Sequence, residues 1–266
     1  MSTGSSRSEG SYFINIEEGA ETARLLYQER FITQETGGSF PPDMDLSSVR
    51  DVIDLACGPG GWVLDVAHAH PTTRIIGVDI NPEMISYGAA QARTQELDNV
   101  KFVQMDIFKP FEFEDHSFDV VNARLLQGFM PRAGWAPFLK ECWRITRPGG
   151  TIILTECEVS LTNSAAFEKL STILVRAMHR GGLGFAPDDR HTGLLQMLPR
   201  FLRDAGCQNV RHATYGLEFS AGTAGHETLY QDYLILVQLL KPFFIAVGAT
   251  TEEEYGRLLP EVQTEK

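Results

Sequence analysis

The chain has 266 residues, 43% hydrophobic and 22% charged, which suits one sizeable α/β domain with an extension and leaves little room for two full domains. Its 23 basic against 35 acidic residues give a formal charge of −12 without any basic run, which argues against a nucleic-acid partner and favours a small-molecule acceptor. Cys57, Cys142, Cys157 and Cys207 stand far apart with no C-x-x-C pair, no apolar run reaches membrane-spanning length, and the Ser/Gly-rich start lacks an apolar signal core. Reduced thiols, no metal, no membrane span and a cytoplasmic location are therefore expected.

Residues 1–11 are small and polar, with nothing to bury, and read as disordered. Residues 12–47 form an N-terminal helical segment, with Ile16, Ala20, Ala23, Leu26, Tyr27 and Phe31 spaced as an apolar stripe, followed by a Gly/Pro connector. At Val52-Ile53-Asp54-Leu55-Ala56-Cys57-Gly58-Pro59-Gly60-Gly61 a short apolar run passes into small residues and then a helical pattern, which predicts a buried strand, a tight turn and a helix N-terminus. Glycines there clear the Cβ atoms that would block a ligand, and the first N–H groups of the helix favour a polar or anionic group. Arg74–Asp79 reads as a second strand ending in an acid placed to accept hydrogen bonds from ribose hydroxyls. Asn81-Pro82-Glu83 is a strong helix start, putting Ile80 and Met84 beside that acid for apolar contact with an adenine face.

Strands follow at Val100–Ile107, with Asp106 near its carboxyl end, and at Ser117–Arg124. A helix spans Trp135–Thr146, Arg147-Pro148-Gly149-Gly150 turns the chain, and a fifth strand runs Thr151–Cys157. Strand–helix alternation predicts an α/β fold: a doubly wound, mostly parallel sheet with helices on both faces and ligand at the strand carboxyl ends, plus N-terminal and C-terminal helical cover. Further on, a helix from Asn163 to about Arg180, a Gly-rich loop at Gly181–Pro187, a helix Thr192–Ala205 broken at Pro199 and a sixth strand Val210–Phe219 are expected. Residues 221–266 form a C-terminal helical extension, about His226–Val247 bent at Pro242 and then Thr250–Val262. Its Leu234, Leu236, Leu239 and Phe243 are expected either to cover a pocket or to form a homodimer contact.

Over residues 48–157, and more loosely to 220, this ordered series resembles the class I S-adenosylmethionine-dependent methyltransferases, so residues 48–220 are taken as the cofactor-binding domain. Asp-Leu-Ala-Cys-Gly-Pro-Gly-Gly is similar to that family's glycine-rich motif, with Ala56 where glycine is usual. The resemblance implies S-adenosyl-L-methionine as cofactor, held by Asp54, Ala56, Gly58, Gly60, Asp79, Ile80, Met84, Asp106, Ile107, Asn122 and Ala123. It places Asp106 at the adenine amino group, Ile107 as an adjoining N–H, and Asn122, Ala123 and Arg124 near the methionine part and the incoming substrate. The N-terminal segment of such enzymes often folds over the site, so Tyr12 is expected to cap the cofactor and Phe13 to meet substrate, unless the segment simply packs on the sheet edge. Gln127 stands where relatives often carry a histidine, and with Arg124 it is assigned to substrate. No seventh strand is recognisable.

Methyl transfer is an in-line displacement in which positioning supplies much of the rate, and a general base is needed only if the acceptor must lose a proton. Glu156 and His191 are the catalytic candidates, with Glu158 and His179 behind them. Two other readings stand beside methyl transfer to a small molecule. One is a protein that binds the cofactor without transfer. The other is an NAD-dependent oxidoreductase, for which the third fingerprint glycine would fall at Val63.

Overall fold

The computed structural model describes residues 19–223 and 225–264. Its centre is β1 (Asp51–Leu55), in which Val52, Ile53 and Leu55 are completely buried; a strand apolar on both sides must be covered on both faces. β2 (Arg74–Asp79), β3 (Val100–Gln104), β4 (Phe118–Arg124) and β5 (Thr146–Thr155) complete a five-stranded sheet, order β3-β2-β1-β4-β5, with every neighbouring pair parallel. The winding reverses between β1 and β4. A ligand crevice is expected at the carboxyl ends beside that switch.

Alternation along the strands divides the core. Val52, Ile75 and Val120 face Trp62, Val63 and Val66 of α2 (Gly61–Ala69), while Ile53, Leu55, Val121 and Ala123 face Trp135, Phe138 and Leu139 of α4 (Trp135–Ile145). α3 (Pro82–Thr94) is capped as its sequence predicts: Asn81 Oδ1 accepts from Glu83 N at 2.9 Å, with Pro82 in the first turn. α1 (Gly19–Glu35) leans on α2. A third apolar core lies outside the sheet, where α5 (Ala165–Arg180), α7 (Gln231–Ala246) and α8 (Glu252–Thr264) pack Phe167, Leu170, Val237, Phe244, Tyr255 and Leu258 together. α6 (Leu194–Ala205) returns to the α4 side.

Several expectations are corrected. Residues 210–219 form no strand: they are mostly exposed, and their Leu217 and Phe219 line the cavity beside the α5 and α7 core instead of pairing with the sheet. β5 begins at Thr146, because Arg147–Gly150 bulge within the strand instead of ending it, and Arg147 Nη1 ties Asp51 (2.8 Å) to Asp119 (2.9 Å) across the strand starts. α6 runs through Pro199 unbroken, with Leu194 and Leu198 before it buried in the sheet-side core and Phe201 and Leu202 after it packed against that core. The apolar residues of α7 are not exposed for a dimer seam: Leu234 and Phe243 are buried, and Leu236 faces an interior cavity. Tyr12, Phe13 and residues 1–11 lie outside the described residues. No described helix is long and apolar enough to cross a membrane, and all four cysteines are free thiols.

Candidate active site

The glycine turn leaves β1 through three left-handed residues: Ala56 (φ 57°), Gly58 (φ 54°) and Gly60 (φ 83°). At Ala56 the cost is therefore conformational as well as spatial, since an L side chain resists that region. Cys57 N donates to Val78 O at 2.8 Å, holding the turn against β2. Gly58 N donates to Asp79 Oδ2 (2.9 Å) and Asn81 N to Asp79 Oδ1 (2.8 Å), so the acid that ends β2 organises both neighbouring turns. Burial raises the Asp79 pKa, and the N–H groups of Asn81, Gly58 and Ile80 oppose that rise. Gly60 is needed for another reason: a Cβ there would meet the ring of Phe102, which also fills the space left by Gly77 and Gly88.

Above the strand ends lies a cavity of about 400 Å³. Asp54, Ala56, Gly58, Asp79, Ile80, Met84, Asp106, Ile107, Arg124, Gln127 and Glu156 all line it. Gly60, Asn122 and Ala123 do not. Gly60 is turned toward Phe102, Ala123 sits inside the sheet core, and Asn122 lies beneath the floor, where its Nδ2 donates to Asp54 Oδ1 at 2.7 Å. Asp54 is buried enough for its pKa to rise to about 7, opposed by Arg124 and by the Asn122 hydrogen bond. Asp106 Oδ1 caps its own turn by accepting from Phe108 N at 2.9 Å, leaving Oδ2 3.4 Å from Lys109 Nζ.

Glu156 follows β5, beyond β4 in strand order. Leu125 takes a left-handed φ of 57° and turns the chain after β4 so that Leu126 N and Gln127 N both point back at Glu156, at 2.8 and 3.2 Å. A leucine in that conformation is strained, and the strain sits at the cavity wall. Burial pushes the Glu156 pKa up to about 8 despite these two donors. The histidine candidates are displaced from the site. His191 Nδ1 lies 3.2 Å from Asp188 without hydrogen-bond alignment, His179 Nδ1 lies 3.5 Å from Asp189, and neither lines the cavity. Glu158 does line it, but both its oxygens accept from Thr192, at 3.0 Å from the hydroxyl, which ties down the 192–193 turn.

The far half of the cavity is apolar. Phe167, Met178, Leu229, Leu236, Leu240 and Phe243 line it from α5, the turn before α7 and α7 itself. α1 closes the near side. Buried Arg24 joins Glu21 (2.7 Å) to Asp232 of α7 (2.7 Å), Gln28 Nε2 donates to Asp232 at 3.2 Å, and Glu29 meets Arg124 at 3.3 Å. Leu236 and Phe243 of α7 were expected either to cover a pocket or to form a dimer contact, and they line the cavity; the wall residues of α1 and α5 were not anticipated. The only signal in the sequence was the repeat of Arg24, Leu25, Gln28, Glu29 and Ile32 on one helical face, which is polar where a core-facing stripe would be apolar.

A bare-backbone turn beside an acid, an adjoining apolar slot of Ile80, Met84 and Ile107, and a surplus of carboxylates over the two lining arginines suit an adenosine carrying a cationic tail. One buried oxygen, Glu29 Oε2, has no hydrogen-bond partner among the described residues, and a cationic donor would satisfy it. Sheet order, crevice and donor set resemble those of a class I S-adenosylmethionine-dependent methyltransferase domain and suit S-adenosylmethionine as a cofactor. Residues 52–150 match the model of the "Methyltransferase domain" family. Methyltransferase str2 of Strobilurus tenacellus is 25% identical over 62% of this chain and 58% of its own length. A demethylmenaquinone methyltransferase of Staphylococcus aureus is 27% identical over 71% of this chain and 79% of its own. The chain thus spans little more than half of the Strobilurus relative. A SAM-dependent methyltransferase of Aquifex aeolicus shares the fold, with a TM-score of 0.50 at 15% identity over 75% of this chain and 93% of that one.

Proposed function

We propose that the protein transfers a methyl group from S-adenosylmethionine to a small acceptor that is largely apolar. The observation that carries this is the continuity of the cavity: it runs from Gly58 and Asp79 at the strand ends into an apolar chamber walled by Phe167, Leu236 and Phe243, with buried Glu156 on the same wall system. The relatives named for methyl transfer, one of them for demethylmenaquinone, support the same reading.

When bound, the cofactor supplies an electrophilic methyl carbon on a sulfonium. The chain's own residues orient and desolvate. Asp79 presents carboxylate lone pairs at the ribose position, Asp106 lies at the end of β3 for the adenine amine, and Ile80, Met84 and Ile107 exclude water from the ring. The apolar chamber would hold and desolvate the acceptor beside the bound cofactor, and such positioning supplies much of the rate. Glu156 is the base for an acceptor whose attacking atom carries a proton: with its pKa near about 8 it matches an O–H or acidic C–H donor better than an ordinary carboxylate does. Leu126 N and Gln127 N fix its orientation. A single copy of the chain encloses this cavity, so the proposal includes no dimer contribution.

The test is calorimetric titration with S-adenosylmethionine, S-adenosylhomocysteine and NAD, followed by an acceptor panel graded in apolar area and read by S-adenosylhomocysteine formation. Binding of the two adenosyl sulfur ligands, with turnover rising along the panel, is expected. Binding of NAD alone would overturn the proposal.

A further inference from the structure

Among the described residues, Glu29 is the one at the cavity whose environment lacks something a ligand would supply. Its carboxylate is held over the start of α2, so close to Gly61 that a Cβ at that position would overlap Oε2. Oε1 is used: Arg124 Nη2 lies 3.3 Å away and Thr33 Oγ1 donates at 3.2 Å. Arg124 is itself fixed, donating from Nη1 to Thr33 Oγ1 at 3.0 Å and lying over the Trp62 ring, so it does not swing to serve the other oxygen. Oε2 is buried and unpartnered, a costly state for a carboxylate oxygen.

The strand order says which part of the cofactor comes here. Asp106 follows β3, Asp79 ends β2, and Arg124 with Glu29 stands over the ends of β1 and β4; along the sheet edge this is the sequence adenine, ribose, tail. Among the groups of the tail, the sulfonium has no N–H and the carboxylate no donor, so the ammonium alone satisfies Oε2. Asp54 lies in the same cavity wall but is already engaged by Asn122. We infer that Glu29 Oε2 receives the α-ammonium of the cofactor's amino-acid tail, so that α1 forms part of the cofactor site and not merely a cover over it. This rests on the methyltransferase reading.

The experiment is a ligand–mutant cycle by calorimetry, using wild type and Glu29→Gln with S-adenosylhomocysteine and with S-adenosyl-4-thiobutyrate, which lacks only the amino group. Wild type is expected to prefer the amino ligand about ten- to a hundredfold, and the variant to lose most of that preference while binding the des-amino ligand nearly as wild type does. An equal preference in both proteins would give the ammonium to backbone carbonyls and overturn the inference, as would tighter binding of the amino ligand by the variant. A wild type that binds neither ligand would overturn the cofactor reading itself. Should Glu29→Gln not fold, Glu29→Asp keeps the charge toward Arg124 and withdraws the oxygen by one methylene. In that variant a reduced preference supports the assignment and an unchanged one overturns it.

Discussion

Replacing Glu156 by glutamine should remove a pH dependence of stability that the fold builds in. The ordinary carboxyl value of 4.5 is raised to about 8 by burial. Between those values the folded chain keeps a proton that the unfolded chain has released, so stability falls as pH rises through this window and levels off above the folded value. A full proton difference costs about 1.4 kcal/mol per pH unit, so going from about pH 6 to about pH 9 removes at most about 3 kcal/mol. Water reaching the cavity wall reduces this to about 1–2 kcal/mol, or about 2–8 °C in Tm for a chain of this size. The amide that replaces the carboxyl is not ionisable and takes the same space. Melting wild type and variant at both pH values should therefore show a Tm drop smaller by that amount in Glu156→Gln. Asp54, with its pKa near about 7, adds a drop of the same sign in both proteins and cancels in the comparison. Equal drops would mean that Glu156 is ionised at neutral pH, and would remove the argument for its role as a base.

Ala56→Gly should raise stability by about 0.5–1 kcal/mol in a denaturant melt, because the left-handed φ at that position is free only for glycine. Asp79→Ala should weaken S-adenosylhomocysteine binding by about 1–3 kcal/mol in calorimetry, through lost ribose hydrogen bonds and a slackened Gly58 turn. Leu236→Trp should raise KM for the acceptor severalfold while leaving the cofactor Kd unchanged, because it fills the chamber and not the crevice. Asp232→Ala should cost about 1–3 kcal/mol of stability by chemical denaturation, since it removes one of the two carboxylates that buried Arg24 bridges and leaves Glu21 as the other.

The half of the cavity at the strand ends was legible in the sequence because its signals are local. A buried strand running into glycines, an acid ending β2 and another following β3, and an Asn-Pro helix start each depend on a few consecutive residues, and Asp54, Gly58, Asp79, Met84, Asp106 and Ile107 duly meet at the cavity. Where a local pattern had two physical solutions, it misled. Arg147–Gly150 reads as a stop but becomes a bulge, because Phe118 and Val120 offer it ladder partners. Residues 210–219 alternate as a strand would, but their Leu217 and Phe219 are half-buried at the cavity, the latter against the helical core, instead of beside β5. Asn122 and Ala123 stand close to the cavity in chain position, but the pleat turns them to opposite faces of the sheet, one toward Asp54 and the other into the α4-side core.

By itself, then, the amino-acid order determined the parallel sheet and the chemistry of the strand ends, since strand burial, glycine conformation and helix capping act over a handful of neighbours. Tertiary structure alone decided which residues wall the rest of the cavity. Arg24 and Asp232 are 208 positions apart, and Glu156 owes its raised pKa to burial against a turn 30 positions earlier. Partnership and desolvation at that range follow from packing of the whole chain, which no short window of sequence contains.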